Sequence, residues 1–431
     1  MSKEVVITGL GPVTSIGVGC DPLWSSLSAG RSNVTTRKLP VDVGRMAYLP
    51  VASMPPAADV PGLGPHLAFL AEQDCPGYRD LAYALLAVEL ALADAGLSED
   101  REWRRIGAIQ AFEAPGVEAT VSQLFGMLSS PLPPNAPPPV YDVLAPRFYH
   151  MQAFSYVHLV GKAFGLHGYS TSVHNACSSG AFAIEAAAQR IRAGDADAMI
   201  VVGGEAFETG VRLEWFRRLE LYAPDERMRP FDTDPSGFFV GEGAAAIVLE
   251  SAEHAAARGA ECYATYAGGG FAQQGWKQTI PDIRSARLAD VIRCALDTAG
   301  LGASGIDLIV PHGAATSLSD GYEAACVTAA LAASGTKHGE SEPAAAPSPA
   351  IATAFKPYVG HMLAASGIVE TLCAVLAMKR GSVPATLHTR EGKTRFPVPV
   401  ATRGVARSVR TLLKLFTGFT GHDAALVLRR T

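Results

Sequence analysis

The stretch Ala91-Leu92-Ala93-Asp94-Ala95-Gly96-Leu97 returns in the second half of the chain as Ala295-Leu296-Asp297-Thr298-Ala299-Gly300-Leu301. Each reads as the end of an Ala-rich helix stopped by a glycine, the residue that most readily takes the left-handed turn closing a helix. Each is followed by a strand-like run, beginning at Ile106 and at Ile306. A second pair follows in the same order. Ser179-Gly180 opens a helix that runs out at Gly194, and Ser366-Gly367 opens one that runs out at Gly381, with the same glycine-to-glycine interval. One such pair is weak, because Ala-rich helices ending in glycine are common; two in the same order point to duplication. The expectation is two similar α/β halves joined near residues 250–260. The helix starts at 177–180 and 364–367 are then related by a pseudo-twofold axis, and the residues before them meet at the centre.

The rest of the chain keeps the same rhythm. Strand-like Glu4–Thr8, helical Tyr83–Ala95, strand-like Ile106–Gln110, helical Ser179–Ala193 and strand-like Ala198–Val202 alternate as in an α/β protein with buried strands. Two stretches rich in Pro or small residues, 130–140 and 335–349, read as surface loops or insertions. With 431 residues, 48% of them hydrophobic, the chain has material for a large core, and its length suits two or three compact units. A net charge of −5 with 18% charged residues excludes a global basic field for nucleic acid or an anionic membrane. The seven cysteines are scattered, odd in number and never spaced as C-x-x-C, which argues against a disulfide framework or a zinc site and suits a reducing cytoplasm. The opening MSKEVVITGLGPVTSIG enters a β-branched run and then meets Gly and Pro, without the apolar core of a signal peptide. Apolar runs such as Ala198–Val202 fall far short of the roughly 20 residues that span a bilayer, so no membrane segment is expected.

Three residues at equivalent element ends carry candidate chemistry. Cys177 lies in Asn175-Ala176-Cys177-Ser178-Ser179-Gly180, after strand-like Tyr169–Val173 and before an Ala-rich helix whose free amides and positive end should stabilise a thiolate. A cysteine among small residues is more often a packing residue, so the case rests on its partners. His312, in Pro311-His312-Gly313-Ala314-Ala315-Thr316, follows the apolar strand Ile306–Val310. His361, in Lys356-Pro357-Tyr358-Val359-Gly360-His361, precedes the second of the paired helices. Two imidazole N–H donors beside one thiol suit a reaction in which charge develops on a thioester oxygen, as when a malonyl thioester loses CO₂. Lys356 is placed to organise one of the carboxylates Asp320, Glu323 or Glu370. Gly203-Gly204 and Gly268-Gly269-Gly270 lack the spacing of a dinucleotide-binding loop.

From Val5 to Val427 these residues resemble, in order, the β-ketoacyl synthases of the thiolase superfamily. VVITGLGPVTSIG is similar to the family's first strand and turn, and Asn175 to Gly180 to its nucleophile motif. The run Arg229-Pro230-Phe231-Asp232-Thr233-Asp234-Pro235-Ser236-Gly237-Phe238, continuing to Gly241-Glu242-Gly243, is a highly specific signature. His312-Gly313 with Thr316, Asp320 and Glu323 resembles the first histidine motif. Lys356, Gly360-His361 and Ala365-Ser366-Gly367 through Glu370 resemble the second. The resemblance implies a thiolase-like α/β fold, two pseudo-symmetric halves in a layered αβαβα arrangement. Residues 1–255 would carry the nucleophile and 256–431 the two histidines. It implies that Cys177 is acylated, that His312 and His361 assist decarboxylation, that Lys356 and Glu370 form a structural ion pair, and that Asp320 and Glu323 hold the local polar network with any bound water or cation.

Two departures stand out. Ala314 replaces the first threonine of the family's His-Gly-Thr-Ser-Thr motif, leaving Thr316 as the one hydroxyl for the pantetheine arm. Thr417-Gly418-Phe419-Thr420-Gly421-His422-Asp423 stands where a more glycine-rich Phe-Gly-Phe-Gly-Gly-x-Asn loop is usual; Phe419 survives as gate and, through its amide, as second oxyanion donor. These changes point to specialised polyketide or fatty-acid-like biosynthesis more than housekeeping lipid synthesis. The implied partner is an acyl carrier protein bearing acyl and malonyl thioesters on its phosphopantetheine, with no cofactor or metal of the chain's own. Arg217-Arg218 and Arg227 with Arg229 are candidates for docking the acidic carrier. The family's assembly implies a dimer across the edge near Tyr169–Asn175, as a homodimer or with a chain-length-factor-like subunit. Two alternatives remain: a chain-length-determining partner subunit, which usually lacks the cysteine, and a non-elongating thiolase-fold decarboxylase.

Overall fold

The glycines that seem to end the first strand do not end it. In the computed structural model, which describes residues 3–42, 45–97, 105–129, 140–333 and 350–431, strand β1 runs through Val5–Thr14. A Cβ on Gly11 would lie 1.9 Å from the carbonyl oxygen of Ala87, and one on Gly9 2.2 Å from that of Ala91. These glycines let helix α1, Arg79–Asp94, lie against the strand; they are packing residues, not a turn.

The first half continues with β2 (Ile106–Ala111), β3 (Ser170–Val173), helix α2 (Ser179–Arg192), β4 (Ala198–Glu205), helix α3 (Val211–Arg218) and β5 (Gly243–Ser251). The second half has β6 (Ala264–Gln273), helix α4 (Arg287–Thr298), β7 (Leu308–Val310), helix α5 (Ser317–Ala333), β8 (Ile351–Ala352), helix α6 (Leu363–Arg380), β9 (Thr411–Thr417) and β10 (His422–Arg429). The strands lie in the order β3-β2-β4-β5-β1-β6-β10-β9-β7-β8. Read outward from the centre, each half repeats the other. β2 is parallel to β3 and β4 while β5 is antiparallel to β4 and β1; β7 is parallel to β8 and β9 while β10 is antiparallel to β9 and β6. The halves join through β1 and β6, paired at Val6 with Thr265 and Ile7 with Ala264.

Side-chain alternation builds the layers, since successive residues of a strand face opposite sides. Ala198, Ile200 and Val202 of β4 pack with α1, while Met199 and Val201 face α2 and α6. In β9, Leu412 and Phe416 face the same central helices, and Leu413 and Leu415 pack with α4. Helix, sheet, helix pair, sheet and helix therefore follow one another, the αβαβα layering expected. α6 is buried from Leu363 to Met378, as an Ala/Leu/Val-rich helix without a polar face must be.

The duplication is visible down to single dihedral angles. Ala176 (φ 48°) and Leu363 (φ 45°) each stand four residues before the glycine at which α2 and α6 meet, Gly180 and Gly367. Gly194 (φ 81°) and Gly381 (φ 63°) close the two helices. α2 starts at Ser179 as read, while other boundaries differ from the sequence reading: α6 starts one turn early at Leu363, and β7 at Leu308 instead of Ile306. Of the two expected loops, residues 130–139 and 335–349 lie outside the described residues. Among the described residues no helix is long and apolar enough to cross a membrane.

Candidate active site

Between β3 and α2 the chain must reverse within five residues, and it does so through the left-handed Ala176. Ser179 fastens the turn: its Oγ accepts from the Asn175 amide at 2.8 Å and donates to the Ala176 carbonyl at 2.7 Å. The loop between β9 and β10 closes onto this turn. Ser178 Oγ donates to the His422 carbonyl at 2.7 Å, and Gly418 fits so tightly that a Cβ there would lie 3.0 Å from the Asn175 oxygen. Through this contact the backbone amides of Phe419 and Cys177 both lie beside the Cys177 sulfur and favour its charged form, the pair of donors an oxyanion needs.

The helix end does not make Cys177 a resting thiolate, contrary to the sequence expectation. Burial pushes its thiol up and the charge of Glu113 adds to the rise; Lys356 and the two amides pull it down without overcoming them. Cys177 is therefore held as a thiol, and any reaction at its sulfur must first remove that proton.

Both histidines are buried neutral donors. Burial, then Lys356, push His312 and His361 well below 6.5. His361 Nδ1 lies 3.2 Å from the Leu363 amide, which can only donate, and 2.8 Å from Ser366 Oγ, which itself accepts from the Met362 amide. Nδ1 is thus an acceptor, and this network assigns the proton to Nε2. His312 Nδ1 lies 3.4 Å from Lys356 Nζ, and an ammonium also only donates, so His312 carries its proton on Nε2 too. The two rings stand 5.4 Å apart at 78°.

Beneath them lies a buried ionic layer. Among the three candidate carboxylates Lys356 takes Glu370, at 2.6 Å, and also donates to the His312 carbonyl at 2.6 Å. Glu323 accepts the amides of His312 and Gly313 at 2.6 and 3.0 Å, holding the histidine loop from below. Asp320 accepts the Phe231 amide at 2.6 Å, linking that loop to the Arg229–Asp232 run; burial raises Asp320 to about 8. Sequence reasoning missed Lys414, which binds the other oxygen of Glu370 at 2.6 Å. Its signal was a lysine inside the apolar run Leu412-Leu413-Lys414-Leu415-Phe416, on the face that turns to the centre. Ser366 and Glu113 were missed as well; neither type is informative without its neighbours in space.

Cys177, His312, His361, Ala314, Thr316 and Phe419 all line one cavity of about 420 Å³. Phe419 is braced from outside by Trp215, edge-on at 5.9 Å, and by Phe216 at 6.4 Å. In its loop Thr420 takes φ 64° and Asp423 accepts from Gln274 and Tyr322 at 2.7 and 2.8 Å, so the non-glycine residues are accommodated in a fixed hairpin. Of the arginines picked out for docking, Arg217 and Arg218 share the single carboxylate of Glu214 and Arg229 pairs with Asp225, which offsets part of their charge.

Comparison with known proteins bears on this arrangement. Residues 79–255 match the family described as Beta-ketoacyl synthase, N-terminal domain, and residues 263–390 match Beta-ketoacyl synthase, C-terminal domain. The chain is 29% identical over 443 residues to 3-oxoacyl-[acyl-carrier-protein] synthase 2 of Rhizobium meliloti, covering 99% of each. It is equally 29% identical to a putative polyketide beta-ketoacyl synthase 1 of Streptomyces halstedii, covering 99% of this chain and 98% of that one. Among solved structures, the ishigamide ketosynthase/chain length factor superposes with a TM-score of 0.83 at 28% identity, with full coverage of both chains.

Proposed function

The chain belongs to the β-ketoacyl synthase family, and from that premise we propose that it performs decarboxylative Claisen condensation with Cys177 as the acyl carrier residue. In the first half-reaction the Cys177 sulfur attacks an acyl thioester on the phosphopantetheine of an acyl carrier protein. The tetrahedral oxyanion is held by the amides of Cys177 and Phe419, the C–S bond to pantetheine breaks, and the Cys177 proton ends on the departing pantetheine sulfur. In the second, a malonyl thioester enters the same cavity and loses CO₂. The enolate oxygen receives the Nε2–H groups of His312 and His361, and the enolate carbon attacks the Cys177 thioester. The Cys177 sulfur leaves and regains a proton, and a β-ketoacyl thioester is released.

The observation that carries this reading is the pair of neutral Nε2–H imidazoles lining one cavity with Cys177. Lys356, Glu370, Glu323 and Asp320 act through the histidine loops; Thr316 faces the pantetheine arm, with Ala314 leaving extra room beside it. The cycle draws on no cofactor or metal beyond the arm of the carrier. The chain works in the cytoplasm as one half of a dimer, with a second copy or a chain-length-factor-like subunit, and its relatives' names suit either a fatty-acid or a polyketide pathway. The retained Cys177 tells against a purely chain-length-determining role.

Intact-protein mass spectrometry tests it. Incubation with acyl carrier thioesters should add one acyl group to the wild type and none to Cys177→Ala, and added malonyl carrier should yield a product two carbons longer. Malonyl loss without elongation in the presence of an acyl donor would instead make the chain a decarboxylase.

A further inference from the structure

Two carboxyl groups that the condensation does not use stand beside the nucleophile. β2 and β4 are parallel with Gln110 level with Val202; Glu113 follows the end of β2, Glu205 ends β4, and the charge of Glu113 acts on Glu205. Glu205 lies on the face of β4 that Met199 and Val201 turn to the central helices. No other charge acts on the Cys177 thiol as strongly as that of Glu113. Glu113 does not line the 420 Å³ cavity that Cys177 shares with the histidines. Its charge thus reaches the sulfur from outside that cavity, and an acyl group on Cys177 that turns away from the malonyl arm would meet it.

The pair is incompletely satisfied. Arg212 donates to Glu205 Oε2 at 2.9 Å and to Glu118 Oε1 at 3.1 Å, and its remaining nitrogen goes to the Ala206 carbonyl. Glu118 is complete, its Oε2 accepting from the amides of Glu208 and Thr209 and from the Thr209 hydroxyl. Glu113 Oε2 and Glu205 Oε1 are buried with no hydrogen-bond partner among the described residues. Burial raises both acids, Glu205 to about 8, where the nearby charge of Glu113 adds to the rise and Arg212 opposes it. Around neutral pH the pair therefore holds a proton and can both donate and accept. An alkyl chain laid against it leaves those oxygens unsatisfied, whereas a substrate oxygen satisfies them.

We infer that Glu113, backed by Glu205, is a specificity residue for the acyl group on Cys177, selecting chains that carry a hydroxyl or keto oxygen near the thioester over plain alkyl chains. The inference rests on the condensing-enzyme reading above. The test is acylation of Cys177, followed by intact mass, from carrier-bound octanoyl, 3-hydroxyoctanoyl and 5-hydroxyoctanoyl thioesters. In the wild type at least one oxygenated chain should load with kcat/KM about tenfold or more above octanoyl. Glu113→Leu should reverse that ratio, and Glu113→Gln, which still donates and accepts, should keep most of it. Equal loading of all three by the wild type overturns the inference, as does a ratio that Glu113→Leu leaves unchanged. If Glu113→Leu does not fold, the wild-type ratio and that of Glu205→Gln decide, a wild-type ratio near one overturning it. Loading by none of the three would overturn the condensing-enzyme reading and this inference with it.

Discussion

At the scale of single residues, the protonation states matter as much as the positions. Lys356 and Lys414 share Glu370, each at 2.6 Å, and all three side chains are buried. The cluster keeps excess positive charge under the histidines, and burial with that charge holds both imidazoles neutral. The sign of the pH dependence follows. A histidine whose folded pKa is depressed stays a neutral Nε2–H donor as the pH falls past 6.5, its ordinary value. Condensation should therefore persist between about pH 7.5 and 6 and decline only further down, with Cys177 acylation measured in parallel to separate the two steps. Stability behaves differently and begins to fall near 6.5, because below that value the unfolded chain takes up protons that the folded histidines refuse. An acid limb for condensation centred at 6.5 or above contradicts this assignment. Cys177, His312, His361 and Lys356 were legible because their motifs are local. Lys414 and Glu113 were not, because their meaning depends on partners far along the chain.

At the scale of elements, the crossing of α2 and α6 sets the spacing between the two halves of the site. A Cβ on Gly367 would stand 2.7 Å from the Phe416 ring, and one on Gly180 2.9 Å from the Ile368 nitrogen. Gly367→Ala should destabilise the protein by about 1–3 kcal/mol through overpacking. The same substitution at Gly321, inside α5 with open space around it, should stabilise by about 0.5–1 kcal/mol through helix propensity. Denaturant midpoints of the two variants check this, and equal shifts would contradict it. The helix-ending glycines at 194 and 381 announced the duplication in the sequence. The glycines at the crossing had the same appearance and a different cause, close approach of two backbones.

At the scale of the molecule, one edge is unfinished. Among the described residues β3 pairs only with β2, leaving its other side open. Around it Tyr141, Phe148, Tyr149, Phe154 and Tyr169 are exposed, Tyr141 by 81%. An open edge beside so much exposed aromatic surface is a poor ending for a lone chain. Native mass spectrometry should find a two-chain particle, near twice the 45.1 kDa of one chain for two copies; a persistent monomer, alone and with proteins of its host, would refute the proposed dimer.

The sequence by itself determined the duplicated α/β plan, the order of its elements and the choice of Cys177 and both histidines as candidates, because helix stops, strand runs and short motifs are local signals. Only the tertiary structure decided that β1 runs on through its glycines, that burial pushes the Cys177 thiol up, that Glu370 is shared by two lysines and that Glu214 and Asp225 bind three of the candidate docking arginines. Each of these depends on burial or on a contact between distant segments, and desolvation and close approach leave no mark in the order of residues.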